Sequence, residues 1–229
     1  MSIGTGKTEL ENGIKLFRNE NYQEAIDSLE KTFENKNDIE SGYHLALAYA
    51  QIQNYDKTLE TFDKIMRRLD NPLRIMQAHI IVGYIYAIKE MYDLAEFELL
   101  DALASGIENT QIHSVLGYIY YKKNNTRKAI DSLRKAVAMD SQSANARNSL
   151  GFILADSGIN IEEGISEIKK ALNMDPKNPA YLDSLGWAFF KKKDIANAKE
   201  FLTKAFEIAP TNKDIKEHLI KLDQLGYKK

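Results

Sequence analysis

Cysteine is absent from this 229-residue chain. That excludes disulfides and thiolate metal sites, and it leaves the compartment open, because reducing and oxidising environments both tolerate a cysteine-free chain. Charge of one sign is also lacking. Thirty-one Lys and Arg stand against 33 Asp and Glu, a net charge of −2, so no bulk basic character draws in nucleic acid or an anionic membrane. Long apolar runs are missing. The most apolar window, Ile75–Ile88, is 14 residues long and holds Gln77 and His79. It is too short to span a bilayer and reads as a buried helix. Proline is scarce, with only Pro72, Pro176, Pro179 and Pro210.

What is present is close to a soluble globular average, with 44% hydrophobic and 28% charged residues, enough to bury a sizeable core. Strand-type alternation is hard to find. Apolar residues recur at helical spacing, broken by short polar stretches such as NEN at 19–21 and SGIN at 157–160.

The N-terminal segment Gly4-Thr5-Gly6-Lys7-Thr8 matches the second half of a phosphate-binding loop. The full pattern needs a further glycine five residues before Gly6, where Met1 stands, and a buried strand ahead of it. Neither is present. The segment therefore reads as a polar arm, residues 1–5, running into a first helix over Thr8 to Asn19. A nucleotide-dependent enzyme is the weakest of the functional alternatives.

The main signal is self-similarity. LGYIYYKKNNTRKAIDSLRKAVAMD (116–140), LGFILADSGINIEEGISEIKKALNMD (150–175) and LGWAFFKKKDIANAKEFLTKAFEIAP (185–210) share Leu-Gly, a large apolar residue, a short turn and a second small residue. The first small column is Gly13, Ala46, Gly83, Gly117, Gly151 and Gly186, in steps of 33, 37, 34, 34 and 35. The second is Ala25, Thr58, Ala95, Ala129, Gly164 and Ala198. Each unit has room for two helices that cross closely at the small residues. Tyr49, Tyr86, Tyr120, Leu154 and Phe189 are expected to fill the space around the crossings. One pair cannot bury its apolar faces alone, so the pairs must stack into an array. The 37-residue step leaves room for a longer connection over 69–75, and the fifth unit carries one extra residue near Gly158-Ile159-Asn160.

The period of 34 and the pattern L-G-x-x-[YF]…A-x-x-x-[LF]-x-x-A…P resemble tetratricopeptide repeats, with the last repeats similar to those of bacterial members. The resemblance implies an all-α, right-handed superhelical solenoid of about six helix pairs. They cover 6–212 (about 6–38, 39–75, 76–109, 110–143, 144–178 and 179–212). Residues 213–229 then form a capping helix and tail, in which Ile215, Leu219, Ile220, Leu222 and Leu225 supply an apolar face.

Conventional chemistry is hard to assemble. His44, His79, His113 and His218 are scattered, and neighbouring equivalent helices lie too far apart, at about 8–10 Å, to converge on one ion. No catalytic, metal or cofactor site is expected. One face stands out. In each first helix, the residue after the small column, the residue three further on and the residue three before the column share a stripe. That stripe supplies Tyr43, Tyr84, Tyr118, Tyr121, Asn148, Phe152, Asp183, Trp187 and Phe190. The resemblance places this stripe on the concave surface. The subclass that grips a C-terminal carboxylate with Lys and Asn is not matched, since Leu10, Ile14, Tyr43, Leu47, Ile80 and Tyr84 occupy the candidate positions.

The expected function is a non-enzymatic scaffold or adaptor that holds a protein or peptide partner in an aromatic-lined groove. Nucleic acid and direct membrane insertion are not expected. The alternative is a self-associating structural module of a bacterial envelope-associated assembly. A start without a signal-peptide pattern gives a cytoplasmic expectation; a periplasmic or envelope location is the alternative if a signal has been removed.

Overall fold

The computed structural model describes residues 3–104, 106 and 108–226; the side chains of 3–8, 36, 225 and 226 fall outside the description. The described residues form thirteen α-helices and no strand. The chain divides into two compact units, residues 1–107 and 108–229.

The first unit holds α1 (Ile3–Arg18), α2 (Tyr22–Lys36), α3 (Ile39–Gln51), α4 (Tyr55–Ile65), α5 (Pro72–Ile88) and α6 (Tyr92–Ala104). Each helix packs on the next in sequence. The second unit holds α7 (Thr110–Lys122), α8 (Thr126–Met139), α9 (Ala144–Asp156), α10 (Ile161–Met174), α11 (Pro179–Lys191), α12 (Ile195–Ile208) and α13 (Lys213–Gly226). Here sequential helices pack, and so do the successive odd-numbered ones, α7 on α9, α9 on α11 and α11 on α13. Each unit is thus a stack of antiparallel helix pairs.

Local chemistry explains the starts and stops. Asp38, Asn54, Asn71, Asn109, Asn125, Ser143, Asn160, Asn178 and Asp194 each accept a backbone N–H in the first turn of the helix they precede. These caps satisfy donors that the helix itself leaves unpaired. Pro72 and Pro179 follow their caps directly, where a missing N–H costs nothing. Inside each pair the turn pivots on one left-handed residue: Glu20, Gln53, Glu90, Asn124, Gly158 or Lys193. In five of the six turns the next N–H reaches back five residues, as from Asn54 to Tyr49 or Asp194 to Phe189, closing the last carbonyls of the first helix. In the fifth pair the bond runs from Asn160 to Leu154, one residue longer. The extra Ile159 is pushed into solvent and the helices keep their register.

Close crossings follow the small columns. Ala25, Thr58, Ala95, Ala129 and Ala198 are fully buried. At the fifth pair both partners are glycine: a Cβ on Gly164 would sit 2.6 Å from the Gly151 carbonyl oxygen. Tyr49, Tyr120, Leu154 and Phe189 are buried around the crossings, and Tyr86 is half-buried.

Two local expectations are corrected. The longer connection of the 37-residue step lies earlier than 69–75: it runs over 66–71, Met66–Arg68 forms a turn of 3-10 helix, and Pro72 already starts a helix of 17 residues. The N-terminal arm is not separate either. Helix α1 begins at Ile3, so the backbone of Gly4–Thr8 is helical rather than a loop. The Lys7 side chain lies outside the described residues. No helix among the described residues is long and apolar enough to cross a membrane.

Candidate functional site

In the second unit α7, α9, α11 and α13 stand side by side, and polar bonds tie their shared face at intervals of about one repeat. The Tyr121 hydroxyl of α7 donates to Asp156 Oδ2 at 2.6 Å. The Tyr181 hydroxyl of α11 donates to Asn145 Oδ1 of α9 at 2.6 Å. His218 Nδ1 of α13 lies 2.9 Å from Asp183 Oδ2 of α11. The first unit repeats the arrangement between α3 and α5. The Tyr43 hydroxyl donates to Gln77 Oε1 at 2.5 Å, and Arg74 forks onto both oxygens of Glu40. Hydrogen bonding to the Arg74 guanidinium, opposed by burial, holds the Glu40 carboxyl below its usual range.

Asp156 is the hub of the second unit. Besides Tyr121, it accepts from Trp187 Nε1 at 2.8 Å and lies 3.4 Å from Lys191 Nζ. Burial alone raises its pKa. The Tyr121 and Trp187 bonds and the Lys191 charge outweigh that and keep the carboxyl below its ordinary value. Burial, and then the bond to Asp156, push the Tyr121 hydroxyl up.

Between these helices lies a cleft of ≈ 380 Å³. Tyr118, Tyr121, Asn148, Phe152 and Asp183 line it, and Asn212, Ile215 and His218 of the α13 segment close one side. Tyr121 meets Phe152 edge to face, with centroids 6.0 Å apart. Asn148 Oδ1 is buried in this wall and has no hydrogen-bond partner among the described residues.

The nine stripe residues therefore have different surroundings. Five of them, Tyr118, Tyr121, Asn148, Phe152 and Asp183, line one cleft. Asp183 is already engaged by His218. Trp187 is not an open groove anchor. It is 7% exposed, its indole N–H is taken by Asp156, and its ring stacks with His218 at 4.1 Å and Phe190 at 4.8 Å. The reason is α13, which lays His218 across the ring. Phe190 is half-buried in that stack. In the first unit Tyr43 is buried under Arg74, whereas Tyr84 is 49% exposed.

Asp156 was not singled out in the sequence. Its signal is a single acid in a column that holds Arg18, Lys122 and Lys191 in other repeats. The α13 helix buries Ile215 and Leu222 and leaves Ile220 exposed, while Leu225 lies outside the described side chains. His218 falls 35 residues after Asp183, so α13 occupies the place of a further first helix.

Paired helices that cross at small residues, stack in series and leave a cleft between their first members define an α-helical repeat protein. The repeats are tetratricopeptide repeats. Family models described as TPR repeat and Tetratricopeptide repeat match residues 117–158, 180–212 and 40–69. Those three stretches carry tetratricopeptide repeats, and the all-α fold is similar to that of proteins built from such repeats, a bacterial one among them. A TPR repeat-containing protein of Pseudomonas aeruginosa is 34% identical over 80 residues. That match covers 35% of this chain and only 13% of the relative. Among solved structures, YrrB, described as a TPR protein with an unusual peptide-binding site, is 25% identical with a TM-score of 0.61. It covers 82% of this chain and 96% of its own. PilW, described as a widely conserved type IV pilus biogenesis factor, matches with a TM-score of 0.74 over 95% of this chain and all of its own. At 14% identity, that likeness shows the fold alone.

Proposed function

We propose that the protein is a non-enzymatic interaction scaffold that holds a peptide segment of a partner protein in the cleft between α7, α9, α11 and α13. The observation that carries the reading is Asn148. Among the described residues its buried carbonyl oxygen lacks a donor, in a cleft lined by the rings of Tyr118, Tyr121 and Phe152. Leaving such an acceptor unpaired costs about 1–3 kcal/mol, and a rotation of the Asn148 side chain toward the cleft would let a peptide N–H recover it. Tyr118 is still 43% exposed and Phe152 is half-buried, so both have surface left to cover. The peptide-binding description of YrrB supports the same class of partner.

The test is selection of peptides from a random displayed library on the immobilised protein, with affinities then measured against Asn148→Ala and Tyr118→Ala. Selected peptides should lose about tenfold or more in affinity for each variant, in line with 1.4 kcal/mol per decade. Peptides that bind both variants as well as they bind the unaltered protein would place recognition elsewhere.

A further inference from the structure

Helix α6 is apolar on two sides. Ala95, Leu99 and Ala102 are fully buried. On its outer side Leu94, Phe97 and Leu100 are 43%, 58% and 45% exposed. Ile88 and Met91, just before the helix, are exposed as well.

Comparison between repeats shows how unusual this is. The three positions sit one before, two after and five after the second small column. On α2 they hold Glu24, Asp27 and Glu30, and on α4 Lys57, Glu60 and Asp63. The corresponding residues of α8, α10 and α12 are polar or charged too. Most of these positions stay exposed when another helix pair is stacked on: Lys57, Glu60 and Asp63 are in solvent although α5 packs on α4, and on α2 and α10 only Glu30 and Glu163 become half-buried. Continuation of the array therefore does not cover the stripe.

We propose that the outer face of α6 is a docking surface for an amphipathic helix of a partner protein whose apolar stripe is bordered by lysine and arginine. Charge decides the occupant. The acids that border the stripe are Asp101 on the helix and Glu90 just before it, and residues 92–104 contain no lysine or arginine. Glu98 is held by His79 at 2.8 Å on the inner side. Asp101 is exposed next to Leu100, and Glu90 is exposed in the turn before the helix, where the neighbouring Lys89 is held by Asp56 of α4 at 2.7 Å. Two copies related by a two-fold axis would set acid against acid, and an anionic membrane would be repelled in the same way. A basic amphipathic helix meets both requirements, with apolar anchors at i, i+3, i+4 and i+7 and cations at the rim.

The test uses two synthetic helical peptides with the same leucine stripe, one bordered by lysine and the other by glutamate. Their binding is read by fluorescence anisotropy against the full chain and against the triple variant Leu94→Gln/Phe97→Gln/Leu100→Gln. The variant keeps every acid and puts polar residues where the sister repeats have them. A thermal melt checks its fold, and Phe97→Gln alone replaces it if the triple variant does not fold. The lysine peptide should bind the full chain and lose about tenfold or more on the variant. The glutamate peptide should bind the full chain about tenfold or more weaker than the lysine peptide. Absent binding of the lysine peptide, or equal binding to the variant, overturns the proposal. So does a full chain that sediments as a dimer where the variant is a monomer, which would give the face to a second copy.

Discussion

Replacing Asp156 by Ala removes one carboxylate and strands two donors at once. The Trp187 N–H is buried and cannot turn to water, and the Tyr121 hydroxyl is only partly able to. A hydrogen bond to a charged group is worth about 1.5–3 kcal/mol, and a buried orphan donor costs about 1–3 kcal/mol. Relief of the desolvation of Asp156 offsets part of this. The Lys191 contact is long at 3.4 Å and partly exposed, so it adds little. The expected loss is about 2–4 kcal/mol. Asp156→Asn keeps an acceptor without the charge, and should lose roughly half as much. The assay is urea unfolding followed by tryptophan fluorescence. Trp187 is the only tryptophan, so the signal reports the unit that holds the hub. The acid side supplies a second reading. The Asp156 pKa is lowered on folding, so its contribution is complete above the unfolded value of about 3.9 and is lost as pH falls through the lower folded value. The Asp156→Asn variant should lack that part of the acid loss. An Asp156→Ala protein within about 0.5 kcal/mol of the original, the range of an ordinary surface change, would refute the hub.

Trp187→Ala should cost about 3–5 kcal/mol by circular dichroism melts, the range of a buried aromatic, and a loss below about 1 kcal/mol would show that the ring is not held as described. Glu90→Gly should raise the melting temperature by relieving a left-handed residue at φ 59°, a gain of about 0.5–1 kcal/mol after the entropy cost of glycine; a lower melt contradicts this. Deleting 213–229 removes Ile215, Leu222 and the His218 stack from α11 and α12. The shortened chain should melt lower or associate, and an unchanged monomeric melt would make α13 a free tail.

The helical pairs were legible because packing constrains the same columns in every repeat. Gly117, Gly151 and Gly186 mark crossings where a Cβ would come within 2.7 Å of the partner helix. The extra residue near Ile159 was legible for the same reason, as an offset between columns. The candidate site was less so. Periodicity places Tyr118, Phe152 and Trp187 on one stripe, but it does not say that His218 stacks on the last of them. That depends on where α13 lies, and an amphipathic pattern reports which side of a helix is buried without naming its neighbour. Asp156 escaped because a polar hub has no period. The stripe on α6 escaped because apolar residues in a helix read first as core, and only their exposure shows otherwise.

The turn at Ile159 carries a lesson about how such chains change length. The added residue bulges outward at 60% exposure, and the downstream bonds from Trp187 and Lys191 to Asp156 still close. Growth by one residue is absorbed where it occurs, and the next module keeps its bonds to this one. The same spot is a natural place to graft a fluorophore or an epitope.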